Sequence, residues 1–142
     1  MKKIIQLQIR VPSQTRYLSL VGKIGESVAR DICRINDDRD IFANNLNAVL
    51  TEAMVNTIKH ANSDDPTKDI KIRISISNKE LLIRIYDSGQ GFDLKKVSDP
   101  SYNSDLLAES GRGIFIIKSL MDTVIYKKTA CGNVLEMKKA LE

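Results

Sequence analysis

The stretch Ile70-Lys-Ile-Arg-Ile-Ser-Ile76, followed after a short polar turn by Leu81-Leu-Ile-Arg-Ile-Tyr-Asp87, decides the fold of this chain. In both segments apolar and polar residues largely alternate, and this period of two is typical of half-buried β-strands. The turn Asn78-Lys-Glu80 between them is short, so the two strands are predicted to form an antiparallel hairpin. One face of the hairpin is apolar and the other is mostly polar. This predicts an antiparallel sheet that helices cover on a single side.

The segments outside this hairpin extend the same pattern. Three of them also alternate and are predicted to be strands: residues 4–11, 123–128 and 133–139, the last two joined around Gly132. Three others carry apolar residues at helical spacing and are predicted to be helices: residues 15–35, 39–62 and 113–121. Gly22 and Gly25 each cost the first helix about 1 kcal/mol relative to Ala, which indicates close packing there. The predicted fold class is α+β, a two-layer α/β sandwich whose mixed, mostly antiparallel sheet is covered on one face by about three helices.

Length and composition favour one globular domain. The chain has 142 residues, of which 42% are hydrophobic and 28% are charged, and this predicts a single domain over residues 1–142. No apolar run approaches the roughly 20 residues that span a bilayer, and the N-terminus lacks the apolar core of a signal peptide. We therefore expect a cytoplasmic protein that makes no contact with a membrane.

Charge and cysteine content argue against two further classes of function. The net charge of +4 is spread along the chain and only 5% of residues are aromatic, so we expect no direct binding of nucleic acid. Cys33 and Cys131 lie far apart without a second pair or a histidine cluster, which argues against a zinc site and a disulfide framework. The modest positive balance suits an anionic ligand or an acidic protein partner, and it equally suits solubility alone.

The segment Glu52-Ala-Met-Val-Asn56 lies on the second predicted helix and carries the first candidate chemistry. Residues four apart share one face of a helix, with about 6 Å of rise between them. An Asn oxygen is a good neutral ligand for Mg²⁺, and a Glu at this distance can orient or deprotonate an attacking hydroxyl or water. The alternative for either residue alone is a solvated helix face.

The segment Asp87-Ser-Gly-Gln-Gly91 directly follows a predicted strand. An ionised Asp only accepts hydrogen bonds, which suits the exocyclic amino group of adenine. Gly89 and Gly91 permit a positive φ and close approach of the backbone to a ligand. The alternative is a simple turn, since Asp-Ser-Gly is common turn chemistry.

The segment Gly111-Arg-Gly113 opens the third predicted helix after a long polar stretch, residues 88–110. Backbone N–H groups at a helix start bind phosphate well, and Arg112 either adds a charge-assisted contact or faces solvent. A polar segment this long inside a compact domain is usually functional or mobile. Each motif is weak alone, but the three in this order and spacing predict an ATP site.

This joint pattern resembles the GHKL ATPase superfamily, which includes histidine kinases, gyrase, Hsp90 and MutL. That family carries Glu-x-x-x-Asn, Asp-x-Gly-x-Gly and Gly-x-Gly in this order, with an ATP lid between the two glycine motifs. The match covers about residues 40 to 140. The chain also resembles the anti-sigma-factor serine kinases of bacterial partner switching, which are similarly short. This resemblance is carried by the sequences Lys59-His-Ala61 and Gly111-Arg-Gly-Ile-Phe-Ile-Ile117.

The resemblance implies a Bergerat ATP-binding fold and a role for each motif. It implies that Glu52 is the general base or orienting group, that Asn56 ligates Mg²⁺, and that Asp87 recognises adenine. The other residues that it implies for ATP binding are Lys59, His60, Gly89, Gly91, Gly111, Arg112 and Gly113. The lid is expected over about residues 92–110, and a purely structural role for His60 is an equal alternative.

The resemblance also implies cofactors and partners. It implies that ATP and Mg²⁺ are bound and that phosphate is transferred to a serine or threonine of a STAS-domain antagonist. It further implies that a sigma factor is held inactive and that the protein is a homodimer, for which the edge of the N-terminal strand is available. Two alternatives stay open: a nucleotide-binding interaction module without significant kinase activity, and a detached histidine-kinase ATPase domain.

Overall fold

The computed structural model describes residues 3–35, 38–88, 109–129 and 132–141. Its five strands form one sheet in the order β1-β2-β3-β5-β4. These strands are β1 (Ile5–Pro12), β2 (Asp69–Ile76), β3 (Glu80–Asp87), β4 (Thr123–Thr129) and β5 (Gly132–Ala140). The four pairings in this sheet are all antiparallel, as predicted for the central hairpin, so the described sheet is not mixed as the predicted fold class had it.

Three α-helices lie on one face of the sheet: α1 (Leu18–Ser27), α2 (Arg39–Asn56) and α3 (Glu109–Leu120). Short helical turns extend two of them, a π-helical turn at Val28–Ile32 after α1 and another at Thr57–Ala61 after α2. Asp38 caps α2, because its carboxylate accepts hydrogen bonds from the backbone N–H groups of Asp40 and Ile41. Among the helices in the described ranges, none is long and apolar enough to cross a membrane.

The core lies between the helices and the apolar face of the sheet. The largest side chains that are fully buried there are Leu46, Leu50, Met54, Ile70, Ile72, Ile74, Leu81, Ile83, Ile85, Ile114, Ile117 and Leu135. On β2 and β3 they alternate with half-exposed residues of the opposite face. The predicted α+β sandwich, with helices on one face of the sheet, is confirmed.

Close packing at the glycines of α1 is confirmed as well. A Cβ added at Gly25 would lie 2.8 Å from Leu50 Cδ1 and 3.0 Å from the backbone oxygen of Leu46. Gly22 faces Asn47 and Thr51 in the same way. The missing side chains therefore allow α1 to approach α2, and this contact offsets the helix propensity that glycine lacks.

Two helix boundaries differ from the sequence-based prediction. The predicted helix over residues 15–35 is divided into a 3₁₀ turn at Thr15–Tyr17, α1 and a π-helical turn. The third helix begins at Glu109, four residues before the predicted start at residue 113. Gly111 and Gly113 thus lie inside the helix, because packing of α3 against α2 outweighs their low helix propensity.

Candidate active site

The end of α2 and the beginning of α3 meet at Gly113. A Cβ added at Gly113 would lie 2.7 Å from Glu52 Oε2 and 3.0 Å from Asn56 Nδ2. Real Cβ atoms do not sit this close to a carboxylate oxygen, so a side chain at Gly113 would shift the Glu52 carboxylate and press on the Asn56 amide. The first and third motifs, about 60 residues apart in the sequence, therefore form one site.

Asn56 is buried at this contact and has an unusual hydrogen-bonding state. Its side chain is 1% exposed, and its Nδ2 donates a 3.0 Å hydrogen bond to the backbone oxygen of Glu52. Its Oδ1 is also buried, and it accepts no hydrogen bond from any residue that the structure describes. A buried carbonyl oxygen without a donor costs free energy, so such an atom needs a functional explanation. A solvated helix face, the alternative for this residue, is excluded.

Glu52 lies one helical turn before Asn56 and is half-buried. Its carboxylate lies against the backbone of Gly113, and its own backbone oxygen orients the Asn56 amide. The predicted sharing of one helix face by these two residues is therefore realised in the site. A carboxylate and a buried amide on one helix face combine a proton acceptor with a neutral metal ligand.

Asp87 ends β3 and is held in place by two side chains from other strands. The residue is 7% exposed. Its Oδ1 accepts a 2.8 Å hydrogen bond from Asn133 Nδ2, and its Oδ2 accepts a 3.1 Å hydrogen bond from the hydroxyl of Tyr126. These donors satisfy a carboxylate that is costly to bury and fix the orientation of its oxygens.

Tyr126 and Asn133 belong to none of the three motifs that predicted the site. Asn133 lies directly opposite Asp87 in the β3–β5 pairing, and Tyr126 lies on the helix-covered face of β4. A signal was present, because Asn133 is a polar residue at a position of β5 whose neighbours two residues on, Leu135 and Met137, are buried. Assigning it to Asp87 required the strand register, which the alternation of single strands does not provide.

Gly132, the first residue of β5, supports Asp87. Its φ of +134° is strained for a residue with a side chain, and an added Cβ would lie 2.6 Å from the backbone oxygen of Asp87. A side chain at Gly132 would therefore displace the end of β3. The structure thus gives this glycine a role at the site beyond that of a turn residue.

Lys59 and His60 lie in the π-helical turn that continues α2 beyond Asn56. Both side chains are half-buried. Single π-helical turns are rare, and they occur frequently at functional sites. Burial lowers the pKa of His60 and the neighbouring charge of Lys59 lowers it further, while Asp64 acts weakly in the opposite direction. The neutral imidazole is therefore favoured in the folded protein.

Of the remaining candidate residues, three lie in α3 and the others lie outside the described residues. Gly111 and Arg112 belong to the first turn of α3, where backbone N–H groups lack intrahelical partners. Gly113 is the fifth residue of this helix and lies close to Glu52 and Asn56, and its expected role in binding phosphate stays a prediction. Gly89, Gly91 and the lid expected over residues 92–110, apart from its last two residues, lie outside the described ranges.

Comparison with known proteins now assigns the fold to a family. Residues 11–139 match the histidine kinase-like ATPase domain family. The chain belongs to this family. The ATPase-domain match contains every candidate residue named above, and the resemblance to GHKL ATPases is confirmed.

Within this family, the chain is similar to serine-protein kinases. The chain is 30% identical over 144 residues to the serine-protein kinase RsbW of Staphylococcus aureus, covering 96% of this chain and 87% of that protein. It is 27% identical over 124 residues to the serine-protein kinase RsbW of Bacillus subtilis, covering 83% of this chain and 75% of that protein. The predicted resemblance to serine kinases of this kind is confirmed.

A solved structure supports the fold alone. The histidine kinase domain of a blue-light activated histidine kinase from Erythrobacter litoralis superposes with a TM-score of 0.55 at 19% identity. The match covers 92% of this chain and 62% of that chain. The chain thus spans less than two thirds of this structural neighbour.

Titration of His60, the single histidine of the chain, tests the electrostatics of the π-helical turn. We expect an NMR titration of its imidazole to give a pKa below 6.5, and Lys59→Gln to bring that pKa back toward 6.5. Because the folded-state pKa is lowered, the unfolded chain binds more protons between that pKa and 6.5. The free energy of unfolding should therefore rise with pH across this window, and His60→Gln should remove that dependence. A wild-type pKa at or above 6.5 would contradict the burial of this side chain.

Proposed function

We propose that this protein is an ATP-dependent serine/threonine-protein kinase that acts as an anti-sigma factor or related partner-switching regulator. In this proposal it transfers phosphate to a serine or threonine of a STAS-domain antagonist. The observation that carries the proposal is the position of Glu52 and Asn56 against Gly113, with the buried Oδ1 of Asn56 lacking a donor among the described residues. A module that only bound nucleotide would need no carboxylate at this point. Serine-protein kinases that are similar to this chain support the same function.

The residues of the site fit ATP and Mg²⁺. Asn56 Oδ1 is a hard, neutral oxygen without a donor among the described residues, which suits a Mg²⁺ ion that keeps most of its ligands from water and phosphate. When bound, Mg²⁺ would neutralise charge on the phosphates, which is the main requirement of phosphoryl transfer. Asp87 offers fixed acceptor oxygens to the adenine amino group. The further residues proposed to contact ATP are Lys59, His60, Gly89, Gly91, Gly111, Arg112 and Gly113, with the lid over about residues 92–110.

Glu52 is proposed to act on the hydroxyl that receives the phosphate. Its carboxylate orients the serine or threonine hydroxyl and accepts its proton. The hydroxyl oxygen then bonds to the γ-phosphorus, and the bond from that phosphorus to the bridging oxygen breaks, releasing ADP. The half-buried position of Glu52 beside Gly113 limits the directions in which its carboxylate can point.

The partners and setting of this reaction are part of the proposal. The protein is proposed to hold a sigma factor inactive and to work in the cytoplasm, where ATP is available. It is also proposed to be a homodimer, with the exposed edge of β1 as one candidate contact. Ile4 and Ile5 at this edge are 60% and 45% exposed. Light scattering that gave the 15.9 kDa mass of a monomer at micromolar concentration would contradict the dimer.

A transfer assay tests the kinase and separates it from the alternatives. The protein is incubated with γ-labelled ATP, Mg²⁺ and a purified STAS-domain protein, with a variant lacking the acceptor serine as control. An acid-stable phosphoprotein that depends on the acceptor serine supports the proposal. An acid-labile product on a histidine would indicate a histidine-kinase ATPase domain, and binding of ATP without transfer would indicate an interaction module.

Gly113→Ala should reduce activity more than it reduces stability. The added methyl group would displace Glu52 and Asn56, while alanine itself favours the helix over glycine by about 1 kcal/mol. We expect kcat/KM for transfer to fall by about 10²-fold or more, as for other small displacements of catalytic groups. Gly25→Ala is the matched control, because its methyl group disturbs packing of α1 on α2 away from the site. Equal losses of activity in both variants would contradict the contact role of Gly113.

Asn133→Ala should weaken nucleotide binding through Asp87. The substitution removes the hydrogen bond to Oδ1 and leaves the buried carboxylate with a donor fewer, which costs about 1 to 3 kcal/mol. We expect calorimetry to show an ATP affinity lower by about tenfold, and Asn133→Asp, which brings a second carboxylate, to be more severe. Unchanged affinity in Asn133→Ala would show that Asp87 does not need this support.

A further inference from the structure

The face of the sheet turned away from the helices carries a dense group of cations. The strand registers place the basic side chains of this face together: Arg10, Lys71, Arg73, Arg84, Lys127 and Lys138. The nucleotide site described above lies on the opposite, helix-covered face. We call the part of the open face formed by Arg10, Lys71, Arg73, Arg84 and Tyr86 the cationic face.

Like charges stand directly opposite one another in the cationic face. Arg10 pairs with Lys71 across β1 and β2, and Arg73 pairs with Arg84 across β2 and β3. Directly opposed like charges destabilise a sheet by a few tenths of a kcal/mol to about 1 kcal/mol per pair. Two such pairs on three neighbouring strands do not help the fold, although Glu136 offsets part of the charge of Arg84, and they are available to an external anion.

One carboxylate of the same face, Glu136, pairs with Arg84, whereas the other three cations of the cationic face have no such partner among the described residues. Glu136 is 5% exposed, and its carboxylate contacts three basic side chains. The distances are 3.1 Å to Arg84 Nε, 3.6 Å to Lys127 Nζ and 3.8 Å to Lys138 Nζ. Asp69 and Glu80 lie at the ends of β2 and β3. Among the residues that the structure describes, no carboxylate forms an ion pair with Arg10, Lys71 or Arg73.

Apolar and aromatic surface lies among the cations. Lys71 Nζ and Arg73 Cζ lie 5.6 Å and 5.9 Å from the centre of the Tyr86 ring. Leu82 and Val134 are half-buried on the same face, and Ile125 is 45% exposed. A partner that binds here therefore meets both charge and hydrocarbon, as a protein surface does.

We propose that the cationic face docks a carboxylate-rich segment of another protein. A second copy of this chain is disfavoured, because two such faces would bring cations against cations. Nucleic acid is disfavoured as well, because the carboxylate of Glu136 borders the cationic face beside Arg84. The ring of Tyr86 is already flanked by Lys71 and Arg73 and offers no stacking platform. This proposal does not rest on the kinase reaction, since the cationic face and the nucleotide site lie on opposite faces of the sheet.

Binding of defined probes tests the proposal. A labelled peptide of alternating Glu and Leu is titrated with the protein and followed by fluorescence anisotropy, with a Gln and Leu peptide and an oligothymidylate of equal charge as comparisons. We expect the acidic peptide alone to bind appreciably. The double variant Lys71→Gln/Arg73→Gln should weaken that binding by about tenfold or more, and added salt should weaken it as well.

The matched control removes the same charge elsewhere. Lys23→Gln/Arg34→Gln changes two exposed cations of the helical layer, and it should leave peptide binding unchanged. Equal weakening in both double variants, tighter binding of oligothymidylate, or a change of oligomeric state in Lys71→Gln/Arg73→Gln would each overturn the proposal.

A second readout needs no ligand. Arg10→Gln removes the like-charge repulsion between Arg10 and Lys71. We therefore expect the melting temperature of this variant to exceed that of the wild type by roughly 1 °C or more. A clearly lower melting temperature would mean that Arg10 serves the fold, and it would remove the physical basis of the proposal.

Discussion

Glu52→Gln is expected to reduce phosphoryl transfer by roughly 10²- to 10⁴-fold, the usual contribution of a positioned general base. The amide has nearly the shape of the carboxylate, so the contact with Gly113 and the backbone hydrogen bond to Asn56 should persist. An amide does not take up a proton at neutral pH, so the hydroxyl of the substrate would lose its acceptor. Calorimetry should accordingly find ATP binding largely intact, while the rate of transfer to a STAS-domain protein collapses.

Glu26→Gln is the matched control for this experiment. Glu26 is also half-buried, and its Oε2 accepts a 2.6 Å hydrogen bond from Asn47 of α2, away from the candidate site. We expect this variant to transfer phosphate at close to the wild-type rate. Transfer that survives in Glu52→Gln would mean that Glu52 is neither base nor orienting group, even if ATP binding were established.

Asn56→Ala is expected to abolish the Mg²⁺-dependent part of ATP binding. In the wild type, calorimetric titration should give a much weaker ATP affinity when Mg²⁺ is removed. In the variant, titrations with and without Mg²⁺ should agree, because the oxygen proposed to hold the ion is gone. The same titrations with ADP show how much of the effect depends on the γ-phosphate.

The stability of the Asn56→Ala protein should change little, which keeps this result interpretable. The substitution removes one hydrogen bond to Glu52, but it also removes a buried oxygen without a donor, so the two contributions to the free energy of unfolding oppose each other at about 1 kcal/mol each.

Asn62→Ala is the matched control for Asn56→Ala. Asn62 is fully buried, and its Oδ1 likewise accepts no hydrogen bond from a described residue, yet it lies outside the proposed site. Equal loss of Mg²⁺ dependence in both variants would contradict the assignment of Asn56.

The strands, the helices and one functional pair could be predicted because they depend on local geometry. The alternation over residues 70–87 predicted the central hairpin, and the spacing of Glu52 and Asn56 placed both on one helix face. Each of these inferences uses a backbone repeat of two or 3.6 residues, which neighbouring residues set among themselves. The glycines of α1 predicted close packing for the same reason, since their low helix propensity needed a local explanation.

The contacts that build the site depend instead on residues distant in the sequence. Only the packing of α3 on α2 sets Gly113 against Glu52, and only the register of β5 and β4 brings Asn133 and Tyr126 to Asp87. The burial of Asn56 follows from the same packing. The strands, the helices and the chemical groups that they carry could thus be predicted from the sequence. The tertiary structure decided which groups are buried, paired or left without a donor, because burial and hydrogen-bond partnership depend on surfaces that meet only after the chain has folded.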